Sequence, residues 1–191
     1  MRLYFLRHGQ AGRPEEWPHP DAERPLSKRG IEETHAAARG MRWLDLKVEL
    51  VLSSPLVRAH QTALICAEAL QREVTIAPGL ASGCTLGTLA SVLAAHLPVP
   101  PVHNGTASDA EPAEPAPRGV LLVGHEPDFS TLLGAIIGRR GNAAIQLKKG
   151  ALCRVELESE VDGWRWSPAN LHGSGTLVWL LTAKQLGRLG K

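Results

Sequence analysis

Cysteine is scarce in this chain, with three residues, Cys66, Cys84 and Cys153, spread across 191 positions. They are far apart, odd in number and form no Cys-x-x-Cys pair, which argues against a disulfide framework or a zinc knuckle. Thiols used this way fit a reduced, cytoplasmic compartment. Long apolar runs are missing as well. Leu3 to Leu6 gives four consecutive apolar residues before Arg7, too short a run for a secretory leader. No stretch approaches the roughly 20 apolar residues that span a bilayer. No membrane association is therefore expected, and the sequon at Asn104 has no meaning in a cytoplasmic chain. Nor is there a surplus of charge of one sign. Lys and Arg number 21 against 19 Asp and Glu, a net charge of +2 at pH 7, too mild to mark a nucleic-acid-binding surface. The eight histidines show no ligand spacing such as His-Glu-x-x-His, so neither a metal nor another cofactor is expected. One further gap concerns acids: no Asp or Glu occurs between Glu73 and Asp109.

What is present suits one domain over residues 1–191, because 43% hydrophobic residues can build a core unaided. Residues 2–6 read as a buried strand that stops at Arg7-His8-Gly9, before a Pro-rich polar loop from about 12 to 26. Ser27 caps a helix running to about Leu44, with Ile31, Ala38 and Met41 at helical spacing. A short strand, Glu49 to Leu52, ends in Ser53-Ser54-Pro55. There Ser54 is the expected cap and Pro55 the first residue of a helix carrying Leu56, Ala59, Ala63, Ala67 and Leu70 on one face. Residues 86–96 read as another helix, and the Pro-, Ala- and acid-rich stretch at about 97–118 as a mobile surface loop. Gly119 to Val123 is the clearest strand. It ends in Gly124-His125-Glu126-Pro127, ahead of a helix with Phe129, Leu132, Leu133, Ile136 and Ile137 at i, i+3, i+4, i+7 and i+8. Two later strands are expected at 151–157 and 163–167, with a turn at Asp162-Gly163. Strands alternating with helices predict an α/β fold, a three-layer α/β/α sandwich on a largely parallel central sheet.

Three of these strands hand over to polar clusters: Arg7-His8, Ser53 to Arg58, and His125. In open α/β sheets ligands sit just beyond the carboxyl ends of the strands. If the three strands are neighbours, two arginines and two histidines meet at one spot. Guanidiniums offer forked donors that match phosphate oxygens, and a neutral imidazole can attack phosphorus to give a phosphohistidine that water later hydrolyses. The cluster therefore points to phosphoryl transfer.

The ordered set Arg7-His8-Gly9, Arg24-Pro25-Leu26-Ser27 with Gly30, Ser53-Ser54-Pro55 with Arg58-Ala59 and Gln61-Thr62, Val123-Gly124-His125-Glu126-Pro127 and Trp166-Ser167-Pro168 with Asn170-Leu171 resembles the histidine phosphatase superfamily. The likeness is to its phosphoglycerate mutase-like fold and, within it, to the small SixA-like phosphohistidine phosphatases. Carried over to this chain, the resemblance makes His8 the nucleophile. It makes Arg7, Arg58 and His125 the phosphate clamp, with Gly9 beside them, and implies a metal-free mechanism. The substrate so implied is a phosphorylated signalling protein or a small phosphorylated molecule. Oligomeric state is left open.

The missing acids are a departure from this pattern, since many relatives acting on phosphate esters place a proton donor in the segment after the second helix. Here that segment reads Leu80-Ala-Ser-Gly-Cys-Thr-Leu-Gly-Thr88. An alkoxide leaving group needs a proton, its conjugate acid being roughly as weak as water at about 15.7. An imidazole leaving a P–N bond is protonated more readily, near about 6.5. The gap favours phosphoramidate substrates, with Glu126, and Asp128 beyond it, as the nearest substitute donors. A broad phosphomonoesterase and a non-catalytic phosphate-binding module are the alternatives. Metal independence is directly testable: turnover of an aryl phosphate is expected to persist after exhaustive chelation. A loss of activity restored by a stoichiometric metal would contradict it.

Overall fold

The computed structural model of the protein describes residues 1–97, 119–138, 144–158 and 166–191. Its centre is the apolar strand β1 (Arg2–Arg7), flanked in parallel by β4 (Gly119–Gly124), with Leu3 opposite Val120 and Arg7 opposite Gly124. Next to β4 lies β2 (Leu50–Ser53), also parallel, and at that edge β3 (Val74–Ile76). On the other side β5 (Leu152–Leu157) runs antiparallel to β1 and pairs with β6 (Gly175–Leu181). The order β3-β2-β4-β1-β5-β6 leaves β5 alone running against the rest, so the sheet is largely parallel as expected.

Side-chain alternation divides the core into two layers. Tyr4, Leu6, Val51, Leu121 and Val123 point to one face. There they meet α1 (Lys28–Trp43), α2 (Val57–Leu70) and α6 (Ala183–Leu189). Leu3, Phe5, Leu52, Val120 and Leu122 point to the other. They pack on α3 (Leu86–His96), α4 (Asp128–Ile137) and the short α5 (Pro168–Leu171). Each fully buried Leu or Phe contributes about 1.5–3 kcal/mol, and four consecutive residues of β4, Val120 to Val123, are wholly buried. The result is the three-layer α/β/α sandwich. All three cysteines lie buried and unpaired. Among the described residues, no helix is long and apolar enough to cross a membrane.

Local signals explain most element starts. Ser27 Oγ accepts from the Gly30 N–H to open α1, and a Thr85–Thr88 capping box opens α3. The start of α2 differs from expectation: it begins at Val57, with Leu56 at the cap position and no side-chain cap. Ser54 is committed elsewhere. Pro127 likewise stands at the cap of α4 rather than inside it. The strand expected at 163–167 falls mostly outside the described residues. Its last two, Trp166 and Ser167, belong to no strand; Trp166 Nε1 donates to the Leu97 carbonyl at 2.9 Å, and Ser167 caps α5. The loop expected at 97–118 also lies outside the described residues, apart from Leu97.

One glycine holds the loop after β1 in place. Gly30 packs its backbone on the Gln10 carbonyl so closely that an added Cβ would overlap that oxygen. Alanine is the better helix former by about 1 kcal/mol, yet overpacking costs about 1–3 kcal/mol. Gly30→Ala is therefore expected to lower the melting temperature. A variant more stable than wild type in thermal denaturation would contradict the close approach.

Candidate functional site

Register brings the strand ends together. The His8 N–H donates to the Gly124 carbonyl at 3.0 Å and the Ser54 N–H to the Val123 carbonyl at 2.9 Å. His8, Ser54 and His125 thus leave β1, β2 and β4 side by side, the convergence anticipated from sequence. The His8 and His125 rings lie 5.2 Å apart, centroid to centroid.

His8 is nearly buried, and its Nδ1 sits 2.7 Å from the Gly9 carbonyl. A carbonyl only accepts, so Nδ1 carries the proton and Nε2 keeps its lone pair. Burial pushes the His8 imidazole down to about 3, against the stabilising Gly9 bond. His125 is pushed down to about 4, by burial first and then by the charge of Arg58. Its Nε2 meets Ser54 Oγ at 2.7 Å. That hydroxyl accepts from Leu56 N–H at 3.2 Å; in the tautomer that takes the hydroxyl's proton at Nε2, His125 presents a donor N–H at Nδ1.

Arg7 donates from Nη1 to the Leu147 carbonyl at 2.8 Å, and Arg58 donates from Nη1 to the Asp21 carbonyl at 2.7 Å. The Asp21 carboxylate contacts Arg58 Nη2 at 3.0 Å and accepts from Arg24 Nε at 2.8 Å. A hydrogen bond from Arg24, reinforced by the charge of Arg58, holds the Asp21 carboxyl below its usual range. Burial lowers both Arg7 and Arg58, opposed by Glu126 beside Arg7 and Asp21 beside Arg58; a guanidinium nonetheless stays charged. Of four buried side-chain nitrogens without a partner among the described residues, three belong here: Arg7 Nε, Arg58 Nε and His125 Nδ1. Buried donors are ordinarily satisfied, so three together mark a place made for an acceptor.

These residues line an open cleft of about 430 Å³ together with Gln10, Arg13, Arg24, Ser82, Glu126 and Lys149. Gly9, expected at the phosphate, instead gives its N–H to Thr62 Oγ1 at 3.0 Å and packs against Thr34. Its role is close packing, and its donor is already committed. Thr62 in turn donates to the Arg58 carbonyl at 2.7 Å, and Gln61 accepts from Leu26 N–H at 2.8 Å, so both anchor the loops around the cleft. Asp21, Arg24 and Ser54 were not singled out from sequence as site residues. The Asp21-x-x-Arg24 spacing between two prolines was the available signal. Glu126 lies on the cleft wall, and Asp128 accepts from the N–H groups of Gly83 and Cys84 at 2.8 and 3.2 Å. Among the described residues, no group of three or more His, Cys, Asp or Glu is placed to hold a metal ion.

Paired histidines, one buried and one half-buried guanidinium and three unpartnered nitrogens thus gather at the ends of parallel strands. The chain belongs to the histidine phosphatase superfamily, whose branch 1 model matches residues 3–84. It is 34% identical over 154 residues to an uncharacterised protein of Picosynechococcus sp., covering 80% of this chain and 82% of that one. It is 26% identical over 176 residues to the phosphohistidine phosphatase SixA of Escherichia coli K12, covering 90% and 96% of the two chains. A structure of the protein histidine phosphatase SixA complexed with tungstate superposes with a TM-score of 0.69 at 22% identity, over 97% of this chain and 99% of that one. The chain is thus SixA-like within its superfamily.

The depressed histidines have a consequence with a definite sign. Both bind protons more weakly in the folded state than at their ordinary value of about 6.5. As pH falls through that value the unfolded chain takes up protons first, so these two residues reduce stability progressively from about pH 7 down to about pH 4 for His125 and about pH 3 for His8. Site-resolved NMR is expected to find both titrating below pH 5. A midpoint near 6.5 for either would refute the burial argument.

Proposed function

We infer that the protein hydrolyses phosphohistidine, on signalling proteins or as small phosphoramidates, through a covalent phosphohistidine at His8. The observation that carries this reading is a histidine with a fixed tautomer, set beside three buried nitrogens that have no partner among the described residues. In the first step His8 Nε2 forms a bond to phosphorus while the P–N bond to the leaving imidazole breaks, and the proton that neutralises the departing ring comes from solvent or from the protonated substrate itself. Water then attacks the phosphohistidine, releasing inorganic phosphate and regenerating the His8 lone pair. Arg7, Arg58 and His125 face the charge that builds on the phosphoryl oxygens, where fixed donors stabilise most.

Two observations support a P–N over a P–O substrate. No acid occurs between Glu73 and Asp109. Asp128 is engaged by two backbone N–H groups, and Asp21 by two guanidiniums that keep it ionised. The cleft of about 430 Å³ is large enough for a phosphorylated side chain and its neighbours, whichever bond to phosphorus is cut.

The test joins trapping with a leaving-group series. Quenching without acid during turnover should recover one phosphoryl group on His8, and His8→Ala should abolish both label and activity while remaining folded. kcat/KM should fall at least about a hundredfold from phosphohistidine or aryl phosphates to alkyl phosphates, because general-acid help is worth about 10²–10⁴. A flat profile would make the protein a broad phosphomonoesterase, and an absence of turnover on every substrate would make it a binding module.

A further inference from the structure

Glu126 follows His125 at the end of β4 and borders the cleft, where its sequence position suggests a proton donor. Its contacts indicate a different task. Oε1 accepts from Ser130 Oγ at 2.8 Å and from the Leu147 N–H at 3.1 Å. The carbonyl of that same Leu147 accepts from Arg7 Nη1 at 2.8 Å. One residue therefore ties Glu126 to Arg7, through its N–H on one side and its C=O on the other. Residues 144–148 form no regular element, so these bonds and the buried Leu147 side chain hold the segment. The carboxylate also opposes the burial that would otherwise weaken the charge on Arg7.

We propose that Glu126 is a positioning residue that orients the Arg7 guanidinium through Leu147, and that it does not supply the leaving-group proton. The proposal rests on Arg7 as a phosphate ligand, the reading given above. Glutamine keeps the acceptor at this position and loses the charge; alanine loses both. The two substitutions therefore separate orientation from acid catalysis.

The experiment measures kcat and KM on one aryl phosphate, one alkyl phosphate and phosphohistidine for wild type, E126Q, E126A, R7A and E126A/R7A, with melting curves for each. E126A is expected to lower kcat about tenfold on all three substrates alike, because a small misplacement of a clamp group slows chemistry whatever the leaving group. E126Q should restore kcat to within about threefold of wild type. In the R7A background E126A should add less than about threefold, since residues acting through one group are not additive. S130A, which removes a donor to Glu126 and the second acceptor of the Leu147 N–H at 3.3 Å, should show a smaller loss with the same coupling to Arg7 and serves if E126A melts. A loss in E126Q confined to the alkyl phosphate would identify a proton donor and overturn the proposal. Full multiplicative losses with R7A would overturn it too. If R7A itself kept wild-type turnover, the reading of Arg7 as a phosphate ligand would fall first; if R7A is crippled and E126A is not, positioning alone fails.

Discussion

The register of β4 between β1 and β2 is the constraint on which the site depends. Arg7 faces Gly124 across one ladder and Ser53 faces Val123 across the other, so the residues that follow each strand emerge at the same height. Because side chains alternate, a slip of one residue would turn every apolar side chain of β4 to the opposite layer. With Val120 to Val123 all wholly buried, the packing of both layers penalises such a slip. The alignment of His8 with His125 is thus enforced by the same burial that holds the sheet together.

That scaffold carries an electrostatic burden. Two guanidiniums and two imidazoles sit at the edge of the cleft with much of their surface withdrawn from water, where an uncompensated charge is costly. Backbone carbonyls of Leu147 and Asp21 and the carboxylates of Glu126 and Asp21 offset part of that cost. The histidines respond by staying neutral. Part of the compensation is withheld, however, and a phosphoryl group is the anion whose shape and charge match the donors left over. Because the donors are held before the anion arrives, little reorganisation accompanies binding.

Arg7, His8, Arg58 and His125 were legible because each ends or follows an apolar strand or opens the helix after one, a local pattern that needs no tertiary knowledge. Ser54 shows where such local reading stops. Its residue type is right for a helix cap, but His125 lies 2.7 Å from its hydroxyl, and a contact across 71 residues leaves no trace in local sequence. Asp21 was hidden for the same reason, since only the folded loop brings it to Arg58. The edge strand β3 was missed because three half-exposed residues give too short a signal, whereas β6 carries a readable apolar run, Leu177 to Leu181, that the sequence reading passed over. For α6 the Thr182-x-x-Gln185 capping box was a readable start signal.

The buried cysteines bear on how the protein behaves toward electrophiles and oxidants. Burial pushes the Cys66 and Cys153 thiols up to about 12 and raises Cys84 as well. Thiolate is the reactive species, so at neutral pH the native chain offers alkylating reagents almost nothing to attack. Its thiols become nucleophiles only when the layers around them open. Cys66 lies in the layer of α1, α2 and α6, and Cys153 in that of α3, α4 and α5. The chain therefore carries a built-in chemical clock for the opening of each layer, and a cysteine introduced on its surface would be labelled against a silent background.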